Sequence, residues 1–170
     1  MKRILLLISI LLFSSPNFAL TYAKYGDYAQ FTNTSVLLVS NILEERYDLL
    51  TPQALSYATA MGTMFTLKNI LHTTRPNGGQ HSFPSGHTTS AFMGVYPLYK
   101  KYGLKVGIPA FLIATSVAHS RVQENYHYTR DVIAGALIAL TSDYLFFKSK
   151  LNTKVTISIG LNSFLLSYRY

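Results

Sequence analysis

The sequence predicts an all-α fold: a bundle of about five helices followed by a short C-terminal β-hairpin. Two observations support this. Between residues 33 and 148, five segments carry apolar residues with helical spacing, whereas residues 155–170 alternate apolar and polar side chains. A length of 170 residues suits one ordinary domain with its own core. We therefore expect one helical domain, residues 24–150, with the hairpin or tail in residues 151–170.

Residues 1–23 have the layout of a secretory signal peptide. Two basic residues precede an apolar run from Ile4 to Phe13, and small and polar residues follow. Cleavage is expected after Ala19 or Ala23, and a retained membrane anchor is the alternative. The sequence thus predicts a periplasmic or secreted protein, or one associated with a membrane through an uncleaved N-terminal segment.

The first two helices are predicted over residues 33–50 and 51–72. Thr51 is expected to be the N-cap of the second helix, with Pro52 at its first position. A connection rich in Gly, Pro and Ser follows over residues 73–86, and it is the least regular part of the chain.

The third helix is predicted over residues 87–103, bent or ended near Pro97 and stopped by Gly103. Two more helices, residues 104–121 and 130–148, are apolar around most of their circumference, which implies burial in a helical core or in lipid. No run reaches about 18 uninterrupted apolar residues, so a polytopic membrane protein is not favoured.

The tail has a different pattern. Its apolar residues alternate on one parity and then, after the Asn-Ser pair, on the other. They are Val155, Ile157, Ile159 and Leu161, then Phe164, Leu166, Tyr168 and Tyr170. This pattern predicts a β-hairpin that packs on the helices or touches a partner.

Composition limits the class of partner. The formal net charge is +8, and it stays at +6 without Lys2 and Arg3, which favours anionic partners such as phosphates, nucleic acid or an anionic lipid surface. Charged residues make up 13% of the chain and hydrophobic ones 49%, a composition between soluble and integral membrane proteins. The absence of cysteine excludes disulfides and thiolate metal sites.

The first group of candidate residues is a pair of cations. Lys68 and Arg75 lie seven residues apart, and Pro76 disfavours helix at Arg75 and should release it into the following loop. Taken alone, each is better interpreted as a solvated surface cation.

The second group is the tetrapeptide Pro84-Ser85-Gly86-His87. Pro84 stiffens the approach, Ser85 can cap the third helix, and Gly86 lets the backbone approach a ligand, so the first N–H groups of the helix can hold an anion. His87 falls in the first helical turn, where the helix dipole disfavours the imidazolium and a bound phosphate would favour it. An ordinary capped helix explains the same four residues equally well.

The third group contains Ser120, Arg121, His127 and Asp131. The four-residue step from His127 to Asp131 suits an imidazole whose second nitrogen is held by a carboxylate, as in an activated nucleophile. The alternative is a surface ion pair at the start of the last helix.

Together, the three groups resemble the three-part signature of the type-two phosphatidic acid phosphatase and vanadium haloperoxidase superfamily, and every signature position is filled. The resemblance covers residues 68–131 directly, and the predicted helices agree with the α-helical bundle of that family. Its implications do not extend to the leader or the tail.

The resemblance implies a metal-independent phosphatase, without a cofactor, that works through a phosphohistidine. His127 matches the nucleophile of the family, Asp131 the residue that orients it, and His87 the general acid for the leaving oxygen. The phosphate-binding positions are Lys68, Arg75, Ser85, Gly86 and Arg121. These residue types suit phosphoryl transfer, in which the protein mainly positions the substrate and neutralises charge. Because one histidine must be neutral and the other protonated, a bell-shaped pH profile is expected.

Other polar residues match no signature position. No catalytic role is predicted for His72, His81 or His119, although His119 lies close enough to Arg121 in sequence to support it indirectly. Arg130 adds a cation next to Asp131 and is a candidate contact for an anionic head group.

The expected substrate is a phosphorylated lipid such as phosphatidic acid, an undecaprenyl phosphate or lipid A, with a membrane surface as a second partner and no nucleic acid. A nonspecific periplasmic acid phosphatase acting on soluble esters is the first alternative. A vanadium-dependent haloperoxidase and a noncatalytic binder of lipid head groups are the others. The sequence does not predict the oligomeric state.

Overall fold

A computed structural model describes residues 22–152, 155–160 and 163–168 of the chain. Nearly all of the expected signal peptide lies outside these residues, and its cleavage stays a prediction. The described part is mostly helical, as predicted. Its helices are α1 Tyr22–Ala29, α2 Thr32–Leu43, a 3-10 turn Tyr47–Leu49, α3 Leu50–Leu71, α4 Gly86–Phe92, α5 Val95–Tyr102, α6 Leu104–Gln123 and α7 Thr129–Asn152.

The start of α3 differs from the prediction. The helix begins at Leu50, and Leu49 occupies the N-cap position without a side-chain hydrogen bond. The 3-10 turn runs directly into α3, and the Leu50 N–H donates to the Tyr47 carbonyl. Because the backbone of this turn already accepts a terminal donor, no hydroxyl cap is needed, and the predicted cap at Thr51 is wrong.

The third predicted helix divides into α4 and α5 at Gly94 and not at Pro97. Gly94 has φ of 90°, and a Cβ atom there would lie 2.9 Å from the Asn33 carbonyl oxygen. Its N–H donates to the buried carboxylate of Asp143 at 2.8 Å, which stabilises the break. Pro97 falls in the first turn of α5, where its missing N–H costs little. Gly103 ends α5 as predicted.

Helix α4 lies between the two longest helices of the second half of the chain. It packs against both α6 and α7, and α7 also packs against α3 and α5. The core between them includes the fully buried Leu98, Val117 and Phe147. The Ser85 N–H donates to the Asp131 carbonyl at 3.0 Å, joining the start of α4 to the first turn of α7. This packing places the three predicted groups at one end of the bundle.

The C-terminal segment contains two strands, β1 Val155–Gly160 and β2 Ser163–Tyr168. They pair antiparallel, with Val155 opposite Tyr168 and Gly160 opposite Ser163. The side chains of this segment lie outside the described part of the structure, so its contacts and its role stay a prediction.

Candidate active site

Lys68 lies in the last turn of α3 and is held by the loop that follows. Its Nζ donates to the His81 carbonyl at 2.7 Å, and the His81 Nδ1 lies 3.1 Å from the Lys68 carbonyl oxygen. Burial, together with the charge of Arg75, lowers the pKa of Lys68 to about 8, while the charge of Asp131 opposes the shift. Lys68 is therefore mostly cationic at neutral pH and has donors left for an anion.

Arg75 lies in the loop, as Pro76 predicted. Helix α3 ends at Leu71, and His72 adopts a left-handed conformation with φ of 40°. The Arg75 Nε donates to the Gln80 carbonyl at 3.1 Å, and its backbone N–H donates to the Gly79 carbonyl at 2.7 Å. These bonds fix the backbone and Nε of Arg75 and leave its terminal nitrogens for a ligand.

Ser85 caps α4, as predicted. Its Oγ accepts from the Thr88 N–H at 3.4 Å and from the Thr88 hydroxyl at 3.1 Å. Gly86 and His87 therefore form the first turn of the helix. The same cap would exist without a ligand, so it does not by itself establish an anion site.

His127 and Asp131 form a buried pair. Their side chains are 3% and 0% exposed, and 3.5 Å separates the His127 Nδ1 from the Asp131 Oδ2. That distance is longer than a hydrogen bond, and contacts of this kind are often loose in a site without substrate. The Asp131 Oδ2 accepts from the Ser82 hydroxyl at 2.5 Å and from the Tyr128 N–H at 3.0 Å, so the carboxylate is fixed.

Two cations face this pair. Burial lowers the pKa of His127 well below its usual range, the charges of Arg75 and Lys68 lower it further, and Asp131 opposes them. The structure therefore brings Lys68 and Arg75 together with His127, although they are distant in sequence. A neutral His127 with Nδ1 toward the carboxylate keeps its Nε2 available for attack on phosphorus.

Arg121 lies near the end of α6 with 3% of its side chain exposed. Its Nε donates to the Ser120 hydroxyl at 3.1 Å, and its Nη1 donates to the Asp27 Oδ1 at 2.9 Å. Its Nη2 donates to the Ala23 carbonyl. The guanidinium is thus held on three sides before any ligand arrives.

His87 meets the same carboxylate. Its Nε2 lies 3.1 Å from the Asp27 Oδ1, and the side chains are 36% and 49% exposed. Burial lowers the pKa of His87, the charge of Arg121 lowers it further, and the charge of Asp27 raises it. A bound phosphate would add negative charge and favour the protonated form that a general acid requires.

Sequence reasoning missed two residues at the site, Asp27 and Ser82. Asp27 reaches the site from α1, 94 residues before Arg121, and no motif marks it. The sequence offered one weak sign of Asp27: the chain has only seven acidic residues, so each carboxylate is a candidate for a specific role. Ser82 directly precedes the Phe-Pro-Ser-Gly stretch, and its burial without an apolar side chain is visible only in the fold.

The residues without a predicted catalytic role lie around the site. His81 holds Lys68, as described above, and its ring lies 5.7 Å from that of His72. The Nδ1 of His119 lies 2.9 Å from the Tyr22 hydroxyl. Arg130 is 67% exposed, and its Nε lies 3.6 Å from the Asp131 Oδ1.

Comparison with known proteins gives a family match and several named relatives. Residues 49–154 match the model of the PAP2 superfamily. The chain is 32% identical over 81 residues to undecaprenyl-diphosphatase BcrC of Bacillus subtilis, covering 47% of this chain and 41% of that protein. It is 29% identical over 135 residues to the lipid A 4'-phosphatase of Helicobacter pylori, covering 72% and 68%. The chain thus spans less than half the length of BcrC.

Two solved structures share the fold. The crystal structure of Aquifex aeolicus LpxE superposes with a TM-score of 0.60 at 21% identity, over 84% of this chain and 94% of that one. A transmembrane PAP2 type phosphatidylglycerolphosphate phosphatase from Bacillus subtilis gives a TM-score of 0.56 at 22% identity, over 88% and 85%. At these identities the likeness establishes the helical architecture.

Proposed function

Because the chain belongs to the PAP2 superfamily, we propose that it hydrolyses phosphate monoesters or diphosphates of lipids, with His127 as nucleophile and without a metal ion. The observation that carries the proposal is the buried His127–Asp131 pair facing the cations Lys68 and Arg75. A protein that only binds lipid head groups would need the cations but not the histidine–aspartate pair. A neutral imidazole held by a fixed carboxylate serves bond formation.

The proposed reaction has two steps. The His127 Nε2 attacks phosphorus, the P–O bond to the leaving group breaks, and His87 gives its proton to the leaving oxygen. Water then attacks the phosphohistidine and gives a proton to His87, and the N–P bond breaks to release phosphate. Asp131 keeps the Nδ1 proton of His127 oriented and stabilises the charge that develops on the ring.

The cations neutralise the phosphoryl oxygens. Lys68, Arg75 and Arg121 approach from the end of α3, the loop and the end of α6, so they surround an anion from different directions. The hydroxyl of Ser85 and the N–H of Gly86 are the proposed neutral donors. Fixed donors of this kind stabilise a transition state without having to reorganise.

Exposed apolar faces support a lipid substrate. Leu104, Ile108 and Leu112 recur along α6 and Ile133 and Leu137 along α7, and each is more than half exposed. Soluble monomers rarely expose such contiguous faces. Within the described ranges, Thr129–Leu151 is the one helix long and apolar enough to cross a membrane, and 33% of its most apolar window is buried.

An apolar groove adds to this support. It has a volume of about 370 Å³ and lies between α6 and α7, with Phe111, Val122, Val132 and Ile133 in its wall. Val122 follows Arg121 and Val132 follows Asp131, so the groove and the proposed phosphate site draw residues from the same turns of both helices. We propose a periplasmic or secreted protein that associates with a membrane surface, with the lipid chain near this groove.

The test is a substrate panel with purified protein in the presence of EDTA: short-chain phosphatidate, a polyprenyl diphosphate, lipid A and p-nitrophenyl phosphate. We expect phosphate release from a lipid substrate that survives the chelator. A strong preference for p-nitrophenyl phosphate would favour the nonspecific acid phosphatase. Complete loss of activity in EDTA would contradict the metal-free reaction.

The covalent step has its own test. Rapid alkaline quenching with a ³²P-labelled substrate should trap label on the protein that is stable to base and labile to acid, the behaviour of a phosphohistidine. His127→Ala should abolish the label, and the matched control His72→Asn, at an exposed histidine outside the site, should retain it. Label that persists in His127→Ala would assign the nucleophile to another residue.

A further inference from the structure

Helix α1 is seated firmly on α6. The Tyr22 hydroxyl donates to the Ser116 carbonyl at 3.2 Å, and the Tyr25 and Ser116 hydroxyls lie 2.6 Å apart. The Ala23 carbonyl accepts from Arg121. Gly26 is buried against Arg121, and a Cβ atom on it would lie 2.3 Å from the Arg121 Nη2. The backbone of α1 is therefore fixed at the edge of the site.

One carboxylate oxygen of Asp27 lies beside both His87 and Arg121. Its Oδ1 lies 3.1 Å from the His87 Nε2 and 2.9 Å from the Arg121 Nη1. His87 is the proposed proton donor to the leaving oxygen, and Arg121 is a proposed phosphate ligand. An oxygen within hydrogen-bond distance of both stands where an oxygen of the substrate phosphoryl group has to stand.

We propose that Asp27 is an internal anion that occupies part of the phosphate site in the free enzyme and is displaced by the substrate phosphoryl group. This inference rests on the proposed function, because it takes His87 and Arg121 as phosphate contacts. It adds a residue to the site that sets the affinity for anions. The carboxylate competes with substrate and with product phosphate alike, so it weakens both and hastens product release.

Displacement requires only the side chain to move. The Asp27 side chain is 49% exposed and lies in the last turn of α1, so rotation about its Cα–Cβ bond carries the carboxylate into solvent. Arg121 keeps its contacts to the Ser120 hydroxyl and the Ala23 carbonyl when Asp27 leaves. The guanidinium thus remains in place and presents the freed Nη1 to the phosphate.

Charge favours the exchange. A phosphate monoester carries up to two negative charges, whereas the carboxylate carries one, and the charges of Lys68 and Arg75 that act on His127 add attraction for the phosphoryl group. The substrate can therefore displace the carboxylate, although its affinity is lower than it would be without Asp27. The cations that bind the phosphate are already in the site.

The test measures anion binding directly. Inorganic phosphate and orthovanadate are titrated by calorimetry into Asp27→Asn and Asp27→Ala, each in a His127→Ala background to prevent turnover, and phosphate is tested as a product inhibitor of the active forms. We expect both anions to bind about tenfold more tightly when Asp27 is replaced, which corresponds to about 1.4 kcal/mol. Asp48→Asn is the matched control, because Asp48 pairs with Arg46 at 2.8 Å away from the site.

The outcomes separate this inference from the proposed function. Phosphate binding that is unchanged or weaker in both Asp27 variants would overturn the competition and leave Asp27 as a support for Arg121. If wild-type protein binds phosphate and His127→Ala is inactive, the proposed function stands whatever Asp27 does. If the His127→Ala protein keeps full activity, the proposed function fails first.

Discussion

The site contains two histidine–aspartate pairs with opposite surroundings. His127 and Asp131 are almost completely buried, and their carboxylate is held by Ser82 and by the Tyr128 N–H. His87 and Asp27 are 36% and 49% exposed, and their carboxylate is shared with Arg121. The same two residue types thus form one pair whose carboxylate is fixed by buried donors and another whose carboxylate is partly exposed and can turn into solvent.

The difference teaches which pair suits which task. A carboxylate that orients a nucleophile has to stay in place through both chemical steps, and burial with fixed donors ensures this. A carboxylate beside a proton donor has to make room for the leaving group, and partial exposure permits it. Burial lowers the pKa of both histidines. The charges of Arg75 and Lys68 lower the pKa of His127 further, whereas the charges of Arg121 and, less strongly, Arg75 lower that of His87.

The largest expected effect comes from breaking the buried pair. His127→Ala should lower kcat on the best lipid substrate by about 10³-fold or more, because no other group can form the covalent intermediate. Asp131→Asn should lower it by about 10²-fold to 10⁴-fold, because the amide can hold the wrong tautomer of His127. Steady-state hydrolysis with circular dichroism as a folding control checks both. Near-normal activity of folded His127→Ala would reject the nucleophile assignment, and near-normal activity of folded Asp131→Asn would reject the orienting role of Asp131.

The exposed pair should show a dependence on the leaving group. His87→Asn should lower kcat by about 10²-fold to 10³-fold for an alkyl phosphate, whose leaving oxygen needs a proton, and far less for p-nitrophenyl phosphate. Parallel assays of the two substrates provide the measurement, and His72→Asn provides the control. Equal losses on both substrates would mean that His87 binds phosphate and donates no proton.

The position of α1 can be tested by a pair of glycine substitutions. In Gly26→Ala, the added Cβ would clash with the Arg121 Nη2 and with the Ser120 Oγ at 2.4 Å, so either the helix or the guanidinium has to shift. We expect kcat/KM to fall about tenfold or more, since small displacements of a phosphate ligand are costly.

Gly62→Ala is the matched control for that variant. Gly62 lies inside α3 with no atom near the added methyl, so this change should keep activity and raise the free energy of unfolding by about 0.5 to 1 kcal/mol. Thermal denaturation measures the gain. Equal activity in the two alanine variants would show that α1 does not position Arg121.

The sequence predicts the main candidate residues of the site but not the residues that support them. Lys68, Arg75, His87 and His127 were singled out by the resemblance to the family signature, and the fold brings them to one end of the bundle. Asp27 was missed because its contacts depend on how α1 packs on α6, and no local pattern encodes a tertiary contact of that range.

The predicted break in the third helix was wrong for a related reason. Residues 87–103 have an apolar pattern that continues across Gly94, so local propensity predicts one helix with a bend at the proline. The break depends on the buried Asp143 carboxylate and on the Asn33 carbonyl, which come from distant parts of the chain. These tertiary contacts place the break at Gly94 and not at Pro97, and the local sequence does not predict them.

The smallest expected effect is a shift in the pH profile of activity. Each limb of that profile reports the histidine of one histidine–aspartate pair. Activity needs a neutral His127 and a protonated His87, and burial lowers the pKa of both, so kcat/KM should be bell-shaped with its optimum on the acid side of the ordinary histidine pKa of about 6.5. The acid limb belongs to His127 and the basic limb to His87.

The charge of Asp27 raises the pKa of His87, so Asp27→Asn should lower that pKa and move the basic limb of kcat/KM to lower pH. The acid limb should not move. The profile of kcat reports the enzyme with substrate bound, from which Asp27 has been displaced, so its basic limb should stay in place in the variant. Full pH profiles of both kinetic parameters measure this. A basic limb of kcat that moves together with that of kcat/KM would show that Asp27 remains on His87 during turnover, and the two pairs would then differ in exposure but not in mobility.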